Sequence, residues 1–577
     1  MLLPILCATA ILQGAAFEPP RLAVLISIDQ CRADHLERLS PLFGAGGFRR
    51  ILAEGAGHPR ALIRHAVSET GPGHALLATG AYPRRSGIAG NFWFDREAGR
   101  LRYCVGRGEG RGASFLRAET LADALRKAYG RRARILSLSG KDRAAILLGG
   151  QDPDLVLWFE KGAFRTSAWY ETRGDRKYRE GLLAALARLQ GGEGGTELLR
   201  RYRGTVWSPL HPPGTREFRW LSAQYGPDDR PCERPPGGFK RTFPHVLPDG
   251  PRIVSLLPVS PFGNDLLAFL AAWFLEREEA GLGRDGIPDL LCLSFSSLDY
   301  VGHAFGPRSL EAADVVLRLD RALEALFGVL DAKVGRGRWV CALSADHGVR
   351  DAPGSGPDAP RTFDPWVLDP ERPERNGLWV RLALRLAAGR GERLPRDVRP
   401  LTKSGPGPFR RVRASWFRVV GRSLVLRKPV LESLGLDAGV LAREAAAFLR
   451  SQPEIAAVFD PRNPQGGTRS GLERALALSY APGRSGDLLF AFAGGRIPAR
   501  SLPGLAAFHG SAALEDRLVP LWFLGKGIRS GSRTGDPPGV EDLVPTLARV
   551  LGIPRPKTCE GRVLAELLDF RKGDDRR

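Results

Sequence analysis

No CxxC pair and no zinc-finger spacing of cysteine and histidine occurs in this chain, although it carries seven cysteines and nine histidines over 577 residues. No stretch beyond the N-terminus is apolar for long enough to read as a membrane span. Internal repeats and basic arms are also missing. The last absence matters, because the formal net charge is +22 and the pI about 10.3. Such a balance suits nucleic acid, anionic lipid or phosphorylated substrates. Here the arginines are scattered, as in RYRGTVW and FRRVRASWFRVVGRSLVLRKPV, so no specific nucleic-acid partner is predicted. The missing CxxC leaves the disulfide pattern open. Cys292 and Cys341 fall in apolar strand-like runs and read as inert core.

What is present is an ordinary globular composition, with 43% hydrophobic residues, on a chain long enough to bury a large core. The start, MLLPILCATAILQGAAFEPPR, has an apolar run followed by small residues, although its first basic residue is Arg21. Residues 1–16 read as a signal peptide, which predicts a periplasmic or secreted protein. The tail 571–577, RKGDDRR, reads as disordered.

Short apolar runs read as buried parallel strands: LAVLISID (22–29), RARILSLSG (132–140), DLLCLSFSSLD (289–299), RWVCALSADHG (338–348) and RLVPLWFLGKG (517–527). Helical segments such as AETLADALRKAYG and SLEAADVVLRLDRALEALFGVLDAK lie between them. The second has its Leu, Val and Ala at helical spacing and its Asp, Arg and Glu on the other face. The alternation predicts an α/β sheet. Two regions break the rhythm and read as insertions over the sheet, about 152–260 and about 350–505.

Polar residues stand where the apolar runs stop. Asp29 ends the first, Asp299 and His303 follow the third, Asp346 and His347 follow the fourth, and His509 precedes the fifth. Each alone is a turn residue or a structural histidine. Together, D-x-x-x-H, an adjacent D-H pair and a distant Asp and His supply oxygen and imidazole donors suited to zinc, in numbers sufficient for two ions. In SETGPGHALLATG, Thr70 read alone is a helix cap. Beside a metal, its hydroxyl becomes a candidate nucleophile, with a helix N-terminus favouring the alkoxide and Gly71 and Gly73 allowing close backbone approach. In GKDRAAI, an extended backbone would turn Lys141 and Arg143 to one side and Asp142 away. Two cations so placed match the extra charged oxygen that distinguishes a phosphate monoester from a diester.

The stretches LISIDQCRADHL, ETGPGHALLATGAYPRRSGIAGNFWFD, SLSGKDRAAI, SPFGND, SFSSLDYVGHAFGP, LSADHGV and AFHGS resemble the alkaline phosphatase superfamily, in its type I phosphodiesterase/nucleotide pyrophosphatase branch. Within it, the chain is most similar to the bacterial alkaline phosphatases that use a threonine nucleophile. The resemblance implies an alkaline-phosphatase-like, mostly parallel sheet sandwiched by helices, spanning 17–570 with inserted lid or cap segments. It implies one zinc site at Asp29, Thr70, Asp346 and His347, and another at Asp299, His303 and His509. Asn91, Lys141 and Arg143 would bind the phosphoryl oxygens of small-molecule phosphate monoesters, and His74 would be structural. The expected reaction is metal-dependent monoester hydrolysis through a phospho-threonine intermediate. A phosphodiesterase or nucleotide pyrophosphatase on the same scaffold, or a non-catalytic basic binding protein, are the alternatives. Ser86, in PRRSGI, stands where the family often has His, and GSAALED after His509 is also atypical. No cysteine or serine stands in a C/S-x-P-x-R arrangement, which excludes a sulfatase.

Overall fold

The computed structural model describes residues 18–569 apart from 192–195, 356–358, 369–375, 389–398, 402–409, 414–415, 465–469, 495 and 499–503. The expected signal peptide and the expected disordered tail lie outside the described residues.

The main sheet has eight strands. They are β1 (Leu22–Ile28), β2 (Ala56–Leu62), β3 (Ile135–Ser139), β4 (Leu155–Glu160), β5 (Ala163–Arg165), β6 (Asp289–Phe295), β7 (Trp339–Ser344) and β8 (Leu518–Gly525). In space they run β2-β8-β7-β1-β6-β3-β4-β5. Strands β7, β1, β6, β3 and β4 are mutually parallel. Every residue of β1, β6 and β7 is buried, which is why their sequences are largely apolar rather than alternating. Helices on both faces complete one large core.

Three expectations need correction. The run 517–527 forms β8, but it is antiparallel to β7, and β2 is antiparallel to β8. A strand covered on both faces has the same apolar sequence in either direction. The stretch from 152 does not begin as an insertion, since β4 and β5 extend the sheet. The helix Leu310–Leu330 does not keep its acids on a solvent face: Glu311, Asp314 and Asp320 are buried. Asp314 accepts from Trp207 Nε1 at 2.7 Å and Leu210 N at 2.6 Å, and Asp320 accepts from Gly44 N and Phe48 N. These bonds tie flanking segments to the helix and satisfy the carboxylates.

The second insertion has its own core. Strands Phe417–Val420, Ser423–Leu426, Leu488–Phe492 and Ile455–Phe459 form an antiparallel sheet in that order. Helices Leu378–Ala387 and Ala438–Arg450 pack on it through Trp379, Leu382, Leu441 and Leu449. Among the described residues all six cysteines are free, with Cys292 and Cys341 buried, and no single helix is long and apolar enough to cross a membrane.

Candidate active site

Four neighbouring parallel strands end on one side of the sheet, and in such sheets the crevice beyond the carboxyl ends is where ligands bind. Asp29 follows β1 and Asp346 follows β7. Lys141 follows β3 and is the N-cap of α2 (Asp142–Gly149). Asp299 and His303 lie on α3 (Ser297–Phe305), where a spacing of four puts both on one face.

Thr70 is the first residue of α1 (Thr70–Thr79), whose N-cap is Glu69. Its side chain makes no capping bond, which sets aside the capping role that the sequence alone allows. Arg143 Nη2 instead donates to Thr70 Oγ1 at 3.1 Å. Asn91 N donates to Glu69 Oε2 at 2.6 Å, and Gly71 N donates to Asn91 Oδ1 at 2.7 Å. With its carbonyl so used, Asn91 has its NH2 left to donate. α1 approaches the end of β7 closely at Gly73, where a Cβ would stand 2.1 Å from the Asp346 carbonyl oxygen. Gly73→Ala is therefore expected to lower stability by about 1–3 kcal/mol, read as a drop in melting temperature. A variant melting with the parent would show that the contact yields.

The histidines are held in one tautomer. His303 Nδ1 lies 2.8 Å from the Ala507 carbonyl, His347 Nδ1 3.0 Å from that of Gly348, and His509 Nδ1 2.7 Å from that of Ser68. A carbonyl only accepts, so each Nδ1 donates and each Nε2 presents a lone pair, as in histidines that bind metal. His303 Nε2 lies 3.3 Å and His509 Nε2 3.5 Å from Asp299 Oδ1. His347 Nε2 lies 3.4 Å from both Asp29 Oδ1 and Asp346 Oδ2. The donor atoms of Asp299, His303 and His509 lie within 4.8 Å of one another, as do those of Asp29, Asp299 and His347.

This grouping departs from the expected ligand sets in one respect: Asp299 joins both clusters, while Asp346 faces His74 Nδ1 at 3.2 Å. His74 also reaches the Thr70 carbonyl and Ser294 Oγ, which makes it a brace between α1, β6 and β7. Asp29 Oδ1, Asp346 Oδ2 and His347 Nε2 are buried without a hydrogen-bond partner. Three carboxylates thus share a buried volume with unused lone pairs, and a divalent cation fits that donor set.

Lys141 and Arg143 do share the site, but not for the expected reason. They stand at the start of a helix, not on an extended segment. The Lys141 ammonium pairs with Asp29 and, at 2.5 Å, with Asp299 Oδ2. Burial opposes its charge, yet these two carboxylates raise its pKa above the ordinary lysine value. Burial likewise opposes ionisation of Asp299, but Lys141 and then His303 and His509 hold it well below the usual carboxylate range. Burial pushes His347 down to about 3, which keeps it neutral and available as a ligand. Asp142 turns away, accepting from Tyr103 Oη at 2.6 Å and from Arg111.

Three contributors went unread in the sequence. Gln30, at φ 67°, donates its side-chain amide to Asp299 Oδ1 at 2.7 Å and its N–H to Asp346 Oδ1. Glu69 places Asn91, and its position just ahead of Thr70 was the available signal. Tyr103 Oη receives Arg143 Nη1 at 3.4 Å, and nothing local in the sequence marks it.

The model of the type I phosphodiesterase/nucleotide pyrophosphatase family matches residues 23–395. Alkaline phosphatase PhoK of Sphingomonas sp is 30% identical over 96% of this chain and 92% of its own length. Alkaline phosphatase PhoV of Synechococcus elongatus is 29% identical over 95% and 93%. The crystal structure of alkaline phosphatase PafA, a protein of Elizabethkingia meningoseptica, superposes with a TM-score of 0.78 at 26% identity, covering 96% of this chain and 99% of that one. With a family match over most of the chain and whole-length likeness to several alkaline phosphatases, the chain belongs to the type I phosphodiesterase/nucleotide pyrophosphatase family, as a phosphoester hydrolase of the alkaline phosphatase type.

Proposed function

We propose that the enzyme hydrolyses phosphate monoesters through a phospho-threonine intermediate on Thr70, with two zinc ions as its cofactors. The observation that carries this reading is the contact of Arg143 Nη2 with Thr70 Oγ1, made at the N-terminus of α1 and beside a second cation, Lys141. Asp29, Asp346 and His347 would hold one ion and Asp299, His303 and His509 the other. When bound, such ions act as Lewis acids that make the threonine hydroxyl acidic and stabilise a departing oxygen.

The chain's own residues then have separable tasks. Thr70 Oγ1 gives up its proton and bonds to phosphorus as the ester P–O bond breaks in line with it, and the departing oxygen takes up a proton from water and leaves as the alcohol. The α1 N-terminus, where the first N–H groups lack helical partners, favours negative charge at that oxygen. Arg143 and the Asn91 amide donate to nonbridging oxygens of the phosphoryl group. Water later attacks phosphorus, frees Thr70 and releases inorganic phosphate. Gln30 and the three backbone carbonyls on the histidines fix the ligand geometry before substrate arrives.

Purified protein is expected to contain about two zinc ions per chain and to lose activity on chelation, with recovery on adding zinc back. Elemental analysis beside an assay of an aryl phosphate monoester and an aryl phosphate diester tests both halves of the proposal. Full activity in metal-free protein removes the metal mechanism. A faster diester reaction makes the enzyme a phosphodiesterase on the same scaffold.

A further inference from the structure

A cleft of about 700 Å3 opens between the main domain and the second insertion, away from the crevice just described. On one side stand Trp93, Asp95, Arg96 and Glu97, from the β-hairpin that follows Asn91, with Phe115 and Arg117. On the other stand Lys428, Ala438, Gly439, Arg462, Tyr480 and Arg484 of the insertion, together with Asp487. None of the candidate catalytic or metal-binding residues lines it.

Its charges do not cancel. Arg96 is paired with Asp487, Arg462 with Asp460, and Asp95 with Arg102. Among the described residues this leaves Arg117, Lys428 and Arg484 without a carboxylate partner, against one uncommitted acid, Glu97. Arg484 donates only to carbonyls, those of Gly87 and Phe115, while its guanidinium lies 5.0 Å from the Trp93 ring. Arg117 stands beside it, donating to the Pro482 carbonyl at 3.0 Å, and both arginines pack on Gly87. Burial and the neighbouring Arg117 charge lower Arg484 to about 10, a cation held next to another cation. The 13-residue helix Ala438–Arg450 brings its first two residues, Ala438 and Gly439, to the cleft wall, but the Asp437 carboxylate caps that end by accepting from Val440 N at 2.6 Å, so the positive charge of the cleft comes from its side chains.

Two adjacent guanidiniums and an exposed lysine around one cleft form a receptor for an anion with several acceptor oxygens. The volume is in the range that encloses a small organic ligand and far exceeds a bare phosphate ion. We propose that this cleft is a second ligand site, distinct from the hydrolytic crevice, for a phosphate-bearing organic anion of nucleotide size. Its occupant bridges the insertion and the hairpin whose first strand begins directly after Asn91.

The full-length, metal-loaded Thr70→Ala protein, which retains its ligand without turning it over, provides the test. Calorimetric titration with AMP is expected to give two sites per chain. The added pair Arg117→Ala/Lys428→Ala, both exposed side chains, is expected to weaken one of them by roughly 100-fold or more, the lower end for two lost charge-assisted hydrogen bonds, and to leave the other unchanged. Lys428→Glu serves as a second variant that disturbs no observed contact. A parallel titration with inorganic phosphate separates the sources: equal affinity for phosphate alone assigns the cleft to the free ion, against the proposal of an organic ligand. One AMP per chain in the Thr70→Ala protein, or two unchanged sites in every cleft variant, also overturns it.

Discussion

Thr70→Ala should lose turnover by about 10^4-fold or more, the scale seen when a covalent nucleophile is removed, while it keeps its metal and its melting temperature. The asymmetry follows from where Thr70 sits. It is the first helical residue and not the cap, so no backbone N–H depends on its hydroxyl. Alanine suits a first turn as well as threonine does. Only the Arg143 contact is lost. Thr70→Ser restores a hydroxyl at the same place and should recover part of the rate. Single-turnover kinetics and elemental analysis of the two variants are the measurements. Substantial turnover by the alanine variant would mean that water, not Thr70, attacks phosphorus. Loss of metal from the alanine variant would make Thr70 chiefly a ligand.

Lys141→Ala/Arg143→Ala should fall hardest on monoesters. A monoester dianion presents a charged oxygen that a diester has given up to its second substituent. Each lost charge-assisted hydrogen bond costs about 1.5–3 kcal/mol, or roughly 10- to 150-fold per residue when felt fully in the transition state. The diester rate should change little, so the ratio of kcat/KM values shifts toward diesters. The structure adds a second readout, because the Lys141 ammonium stands between Asp29 and Asp299. Its removal leaves two buried carboxylates facing one another, which destabilises metal-free protein more than metal-loaded protein. Melting both forms of Lys141→Ala separates that structural task from substrate binding. Equal kinetic losses on both ester classes would defeat the specificity role.

Much of the crevice was legible because parallel strands buried on both faces must be apolar, and the first polar residue beyond them marks the edge of the sheet. Asp29, Asp346 and His347 are of this kind. Asp299 and His303 carried helical spacing as a further signal. His509 lies on the loop ahead of β8, where its place just before an apolar run was the signal, and the family resemblance supplied its role as a ligand. Lys141 and Arg143 were found by the same resemblance, while the extended backbone assumed for them was wrong. β2 was missed because it is an edge strand interrupted by Pro59, where the register shifts between His58 and Ala61. The direction of β8 was out of reach, since direction is set by connections and not by burial.

The sheet order also constrains how the molecule comes into being. β1 emerges first from the ribosome, yet its two neighbours are β6 and β7, made hundreds of residues later. Until then the N–H and C=O groups along its edges have no lasting partner and its apolar faces no cover, and closing so long a loop is slow. Asp29 waits with it, and His509, which shares a cluster with Asp299, is translated after the entire second insertion. The group of Asp29, Asp299 and His347 is complete once β7 and the residues just after it have been made, whereas that of Asp299, His303 and His509 waits for the whole second insertion, so the two donor groups come together one after the other, the second near the end of the chain.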